Sequence, residues 1–251
     1  FLTFLNNIES KGNLLDIGMG LGVWLGLARR IGFVPHGTDI NEETVSFVNN
    51  NAPEINAAFV SENDGMPPEW PQKFDVVTCF DVIEHVADPP DLLDYLLGLV
   101  KPGGLLLMRI PNRDRYSFKL GGIVDDFLSR ETPDMPPYHL THWRERTVRV
   151  FLRNAGVNNY HIVKGGLLWR KNIMIKGRRS SILSGFMNML YKLSAVAPFA
   201  AVKKFESLGT HLLIYIVMGD KKTFDIEIGV KRSLRSVYQR DIPFFEEVEV
   251  K

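Results

Sequence analysis

Apolar residues fall along this chain in two rhythms. The first is a series of short runs, roughly four to eight residues each, bounded by Gly, Asp, Asn or Pro, which read as buried strands. They lie at Leu14 to Ile17, Phe33 to Ile40, Ala57 to Val60, Phe74 to Phe80, Leu105 to Ile110, Val157 to Val163 and Leu212 to Met218. The second is helical spacing. Phe1, Phe4, Leu5 and Ile8 make one stripe, and Val23 to Arg30, Glu42 to Asn50, Asp91 to Val100 and Glu145 to Asn154 read as further helices. Strand and helix alternate, and the strands are apolar along their length, as strands covered on both faces must be. The expected fold is α/β: a doubly wound, seven-stranded sheet with a lid, parallel apart from an antiparallel edge.

Three stretches fall outside the alternation. From about 113 to 140 the chain is rich in Asp, Arg, Gly and Pro and reads as an insertion carrying part of a lid. From 180 to 202 it is almost uncharged, broken only by Lys192. Ile182, Phe186, Met189, Leu190, Leu193, Val196 and Ala197 recur there at helical spacing between Arg178-Arg179 and Lys203-Lys204. A helix capping a substrate pocket is expected, with weak contact with an anionic membrane surface as a subsidiary expectation. The segment 224–251 reads as a short strand and a charged tail. Residues 1–165 therefore form the expected core, 166–220 a helical cap with the last strand, and 221–251 a tail of no assigned role.

Composition narrows the picture modestly. In 251 residues, 45% hydrophobic and 24% charged, there is ample chain for a sizeable core. A net charge of +1 with no basic stripe argues against a nucleic-acid partner. The single cysteine, Cys79, lies in an apolar run and fits a reducing, cytoplasmic setting. No targeting segment is visible in the stretch itself.

The chemistry gathers where strands end. The first strand runs into Asp16-Ile17-Gly18-Met19-Gly20-Leu21-Gly22, a glycine turn opening a helix. Such a turn lets backbone approach a ligand and aims helix amides at it. A dinucleotide fingerprint would place glycine where Val23 stands, and an acid at Asp16 would repel a pyrophosphate. The acid suits a ligand carrying an ammonium and a sulfonium. Asp39 follows about twenty residues on, at the end of the second strand, where an acid holds ribose hydroxyls; capping the next helix is its alternative role. After the fourth strand comes Asp81-Val82-Ile83-Glu84-His85-Val86, and the fifth is framed by Lys101-Pro102-Gly103-Gly104 and Pro111-Asn112.

These segments, in this order, resemble the class I S-adenosylmethionine (SAM) methyltransferases. The stretch after the fourth strand is similar to the subgroup that includes the ubiquinone-biosynthesis O-methyltransferases. The resemblance covers residues 13 to 165; Met19 stands where the family usually has a cysteine or smaller residue. It implies a Rossmann-like methyltransferase fold with SAM as cofactor. Asp16 and the glycines Gly18, Gly20 and Gly22 would hold the methionine end, and Asp39 with Ile40 the ribose side. Glu62 or Asn63 would meet the adenine, and Phe80 and Asp81 would border the site. It also implies methyl transfer, expected on an oxygen of a small molecule, lipid, quinone or sugar.

For such a transfer His85 is the first candidate base, since imidazole titrates near neutrality. His139 and His142 follow, and Glu84 could orient a histidine or act itself. Each has a structural alternative: dipole complement for Glu84, a satisfied packing group for the histidines. No short-range metal-ligand spacing is present, so no metal is assigned; Glu84, His85 and His139 binding a divalent ion is the minor alternative. A SAM-binding regulator without catalysis, and a nicotinamide-dependent oxidoreductase, are the competing functions.

Overall fold

The computed structural model describes residues 1–8, 11–61, 65–114, 139–165 and 211–219. Seven strands form one sheet: β1 (Asn13–Ile17), β2 (Val34–Asp39), β3 (Asn56–Phe59), β4 (Phe74–Phe80), β5 (Val100–Pro111), β6 (Tyr160–Gly165) and β7 (His211–Val217). Their order is β3-β2-β1-β4-β5-β7-β6. β7 runs antiparallel to both β5 and β6, and the remaining pairs are parallel. The helices are α1 (Leu2–Asn6), α2 (Val23–Arg30), α3 (Glu42–Asn51), α4 (Pro89–Leu99) and α5 (Glu145–Asn154).

Alternation along the strands sorts the core onto two faces. Leu15, Val77, Cys79, Leu106 and Met108 pack with Leu93 and Leu96 of α4 and Val148 and Leu152 of α5. Their neighbours Leu14, Val76, Leu105 and Leu107 point the other way, onto Leu5 of α1, Leu25 and Ala28 of α2 and Val45 and Val48 of α3. Each fully buried leucine contributes about 1.5–3 kcal/mol of apolar transfer energy. Two-sided burial is why these strands read as unbroken apolar runs.

Element ends differ from the sequence reading where caps decide them. α4 begins two residues before the expected Asp91, because Pro89 and Pro90 fit its first turn and Asp88 accepts a hydrogen bond from the Asp91 amide at 3.2 Å. Lys101 to Gly104, expected as a turn before the fifth strand, lies within β5 as an excursion: Phe74 pairs with Val100 but Val76 already pairs with Leu105. β6 starts at Tyr160 rather than Val157, whose amide still closes the end of α5 on Leu152 at 2.9 Å. Residues 115–138 of the expected lid (113–140), the capping segment 180–202, Glu62 and Asn63, and the tail 221–251 lie outside the described residues. No helix among the described residues is long and apolar enough to cross a membrane.

Candidate active site

Strand order reverses between β1 and β4. Their following segments lead to opposite sides of the sheet, which opens a crevice at their carboxyl ends. The first wall of the crevice is the glycine turn. The amides of Gly18 and Met19 donate to the Thr38 carbonyl at 2.9 and 3.0 Å, pinning the turn to β2. Gly18 has φ 73, and a Cβ there would come within 2.5 Å of Val82 Cγ2, so the turn interlocks with the loop after β4. Gly20 has φ 53 and faces open space: a Cβ there would find nothing within 4 Å.

Asp16 lies under this turn, 3% exposed. Thr78 Oγ1 donates to its Oδ1 at 2.5 Å, and Trp24 Nε1 donates to Thr78 Oγ1 at 3.2 Å. Burial pushes the Asp16 carboxyl up to about 7; the Thr78 hydrogen bond and the Arg109 charge oppose that rise, while Asp39 adds to it. Asp39, at the end of β2, accepts from the Gly20 amide on Oδ2 at 2.9 Å and from the Asn41 amide on Oδ1 at 3.0 Å. It is not the cap of α3; Asn41 is, accepting from the Thr44 amide at 3.0 Å. Ile40 beside it is 76% exposed, an apolar side chain available to a flat ligand.

The second wall is the loop after β4. Asp81 has φ 55, the one positive value among the described non-glycine residues. Arg109 of β5 grips its Oδ2 through Nε at 2.9 Å and through Nη2. Asp81 Oδ1 is buried without a hydrogen-bond partner among the described residues, 4.0 Å from His211 Nε2. The Phe80 ring is occupied by packing: Phe1 stacks on it at 5.0 Å, Trp24 meets it edge-on at 5.2 Å, and the Arg109 guanidinium sits over it at 5.4 Å.

Three residues on, Glu84 is 1% exposed and His85 Nε2 lies 3.9 Å from its Oε1. The rings of His85 and His139 meet at 4.8 Å. His139 is brought there by backbone: the Leu140 and Thr141 amides donate to the Glu84 carbonyl at 2.8 and 3.2 Å. The segment 139–143 is further tied by the Arg113 amide donating to the Trp143 carbonyl at 2.7 Å. Thus His139, 54 residues beyond His85, shares one corner with Glu84 and His85. His142 lines an adjoining recess with Arg113, Thr141 and Trp143.

The geometry also brings in residues that the sequence reading passed over. Thr78 and Trp24 support Asp16, and Arg109 and His211 face Asp81. A polar residue inside an apolar strand, as at Thr78 and Arg109, was the available signal. Cys79 is fully buried and its thiol is pushed up by burial, so it is a packing group.

The crevice fits SAM on three observations. Gly20 leaves room that a side chain would fill, next to the buried carboxylate of Asp16. Asp81 Oδ1 is an acceptor held inside the site with capacity for a donor such as an ammonium group. Asp39 keeps lone pairs for hydroxyls beyond its two amide bonds.

Comparison with known proteins agrees. A family model described as a methyltransferase domain matches residues 1–162. A ubiquinone biosynthesis O-methyltransferase of Coxiella burnetii (strain Dugway 5J108-111) is 29% identical over 168 residues, 62% of this chain and 71% of that protein. One from Xanthomonas euvesicatoria pv. vesicatoria is 27% identical over 171 residues, 66% of this chain and 71% of that protein. Among solved structures, a SAM-dependent methyltransferase from Archaeoglobus fulgidus superposes with a TM-score of 0.52 at 18% identity, covering 83% of this chain and 87% of that one. The plantazolicin methyltransferase in complex with S-adenosylhomocysteine superposes at 0.53 with 19% identity, over 87% and 82%.

Proposed function

The chain belongs to the methyltransferase domain family and is a SAM-dependent methyltransferase; we propose that it methylates a hydroxyl oxygen of a small molecule, quinone-like lipid or sugar. The observation that carries the oxygen reading is the corner of Glu84, His85 and His139, interlocked with the glycine turn through Val82 and Gly18. The names of the curated relatives support it.

When bound, SAM supplies a methyl group on a sulfonium sulfur and leaves as a neutral thioether. The chain's own residues divide the remaining work. Asp16 and Asp81 offer negative charge to the methionine ammonium, and Asp39 accepts from ribose hydroxyls. An alcohol is a poor nucleophile until its proton leaves, and the imidazole nitrogens of His85 or His139 are placed to take that proton. Glu84, buried behind His85 with its Oε1 3.9 Å from His85 Nε2, backs the imidazole on the side away from solvent. Holding acceptor and methyl in line contributes several kcal/mol more.

The test is release of S-adenosylhomocysteine against a panel of phenols, quinols, sugars and amines, with the product's methylated atom located by mass spectrometry. Methylation at oxygen supports the proposal. Methylation confined to nitrogen refutes the oxygen assignment, and tight SAM binding without turnover on any acceptor would favour a regulatory role.

A further inference from the structure

We propose that the recess beside the acceptor corner is a carboxylate-binding subsite, so that the methyl acceptor is a hydroxy acid: a molecule carrying a carboxylate close to the hydroxyl that takes the methyl group. The inference rests on the methyltransferase reading and narrows its acceptor class.

The recess lies where two segments are stitched together. The end of β5 brings Pro111 and Arg113, and the segment before α5 brings His139, Thr141, His142 and Trp143. Asn112 forms a bridge with Trp143, and the Arg113 amide donates to the Trp143 carbonyl at 2.7 Å. The second segment is bonded in turn to the loop after β4, through the Leu140 and Thr141 amides on the Glu84 carbonyl. Backbone therefore holds the walls, and the side chains that line the recess start from fixed positions.

Its chemistry is one-sided. Apart from Pro111, every lining side chain offers a hydrogen-bond donor: the Arg113 guanidinium, at least one N–H on each of His139 and His142, the Thr141 hydroxyl and the Trp143 indole N–H. Among the described residues no carboxylate lines it. The acids nearby face other partners: Asp114 meets Arg144 at 3.6 Å, and Glu84 meets His85 at 3.9 Å across the corner.

Trp143 is a second, independent observation. The indole is 9% exposed, and its ring packs on Phe151 at 4.9 Å. It stands between two spaces. One is lined by apolar side chains, among them Ile83, Met108 and Leu152; the other is the recess. Its Nε1 is buried with no acceptor among the described residues. A buried donor without an acceptor is costly, and native structures carry few of them. Of the two spaces, the recess is the one whose polar lining suits a ligand oxygen that this N–H could bond.

The neutral donors would take any oxygen; Arg113 selects an anion. It is half-buried, so its field is screened less than at an open surface. Its planar fork matches the two oxygens of a carboxylate. The recess is narrow, about 200 Å³ with part of that open to solvent, which suits a planar group better than a tetrahedral phosphate.

Placement ties the subsite to the reaction. His139 belongs both to the recess and to the corner, where its ring meets that of His85 at 4.8 Å. An acid seated in the recess sets a neighbouring hydroxyl of the same molecule against the two imidazoles. Binding at the acid thus orients the oxygen that reacts. A neutral analogue is rejected, because it leaves the buried donors unpaired.

The experiment uses the full chain, labelled with ¹⁵N, in the presence of S-adenosylhomocysteine, whose binding is read by calorimetry. The indole N–H signals of its four tryptophans are followed while benzoate, benzamide and inorganic phosphate are titrated separately. Trp143→Phe identifies the Trp143 signal. Benzoate should move that signal downfield and saturably, phosphate should bind more weakly, and benzamide should leave it in place. Arg113→Gln should weaken benzoate at least about tenfold, the loss of a charge-assisted hydrogen bond, with S-adenosylhomocysteine affinity unchanged. His142→Gln should weaken it about three- to tenfold. His142 is exposed, so its variant keeps the test usable if Arg113→Gln misfolds. In turnover, the carboxylated form of a phenol or sugar acceptor should exceed its neutral form about tenfold or more in kcat/KM.

A chain that binds S-adenosylhomocysteine but whose Trp143 signal ignores benzoate overturns the subsite and leaves the methyltransferase reading standing. A response that persists unchanged in Arg113→Gln and His142→Gln also overturns it, as does phosphate binding more tightly than benzoate or equal turnover of acid and neutral forms. A methyl ester as product overturns it too, because the carboxylate then sits at the sulfonium. The expected Trp143 response in a chain that binds no S-adenosylhomocysteine supports the subsite and counts against the cofactor assignment.

Discussion

Asp16→Asn separates stability from cofactor binding, because the wild-type carboxylate pulls the two in opposite directions. The side chain is 3% exposed, and burial raises its pKa from an unfolded value near 3.8 to about 7. The folded state therefore holds more protons than the unfolded one between those values. Stability from this group is fully present below about pH 4 and is lost as pH rises through about 7. At about 1.4 kcal/mol per pH unit the gap sets a ceiling of about 4 kcal/mol, and structural relaxation leaves about 1–3 kcal/mol of it. Asparagine keeps the shape and can still accept from Thr78 Oγ1, but carries no charge to bury. At pH 8 the ligand-free variant should melt about 2–12 °C above the wild type, and the gain should shrink below pH 7 and vanish by about pH 4. SAM binding should move the other way. A bound ammonium favours ionised Asp16, so wild-type affinity should rise across neutrality with release of a proton, and the variant should lose both the slope and at least tenfold in affinity. Melting curves across pH, and calorimetry in buffers of different ionisation enthalpy, read the two effects. A variant no more stable at pH 8 would refute the burial argument; one that binds SAM as the wild type does would refute the placement of the methionine end.

Further expectations follow from the same geometry. Gly20→Val should abolish SAM binding by calorimetry yet cost the fold only about 1–2 kcal/mol, the strain of φ 53 in a residue whose Cβ meets no protein atom. Gly18→Ala should show the reverse emphasis, a larger fall in melting temperature, because its Cβ would lie 2.5 Å from Val82 Cγ2. Asp39→Ala should weaken SAM at least tenfold, since each charge-assisted hydrogen bond removed contributes about 1.5–3 kcal/mol; unchanged affinity would exclude it from the ribose site. His85→Ala and His139→Ala should lower turnover by about a hundredfold or more at saturating acceptor while SAM affinity holds, and wild-type rates in both would mean that neither histidine serves the transfer.

Much of this fold was legible in the sequence because parallel strands buried on both faces leave apolar runs, and the turns between them need glycine, asparagine or proline. The glycine-turn wall of the crevice was legible for a related reason: Asp16, Gly18, Gly20 and Asp39 sit within one βαβ unit, so their spacing along the chain is nearly their arrangement in space. At the other corner the members Glu84, His85 and His139 were named from the sequence, but the contact that brings them together was not. His139 reaches Glu84 only because two amides of its own segment bond the Glu84 carbonyl, a contact between residues more than fifty positions apart that no local pattern encodes. Strand boundaries at Gly104 and Tyr160 slipped for the same physical reason, since pairing partners rather than propensity decide where a strand begins.

The antiparallel strand explains why Asp81 holds so unusual a conformation. A parallel strand at that position would deliver its carboxyl end to the crevice; β7, reversed, delivers its first residue, and His211 pairs with Pro111 at the top of β5. Arg109 stands two residues earlier on β5, opposite Leu213. Asp81 is thus faced by a guanidinium from one strand and an imidazole from the next, both reaching the end of β4. A left-handed backbone at a non-glycine residue costs about 1–3 kcal/mol, and a two-pronged charge-assisted contact with Arg109 is of the size needed to hold it. What the strain secures is direction. With Oδ2 fixed on Arg109, Oδ1 is left buried at the crevice, and Glu84, three residues on, is turned inwards to the corner where His85 and His139 meet. The antiparallel edge of the sheet is what sets the loop between the glycine turn and the corner of Glu84, His85 and His139.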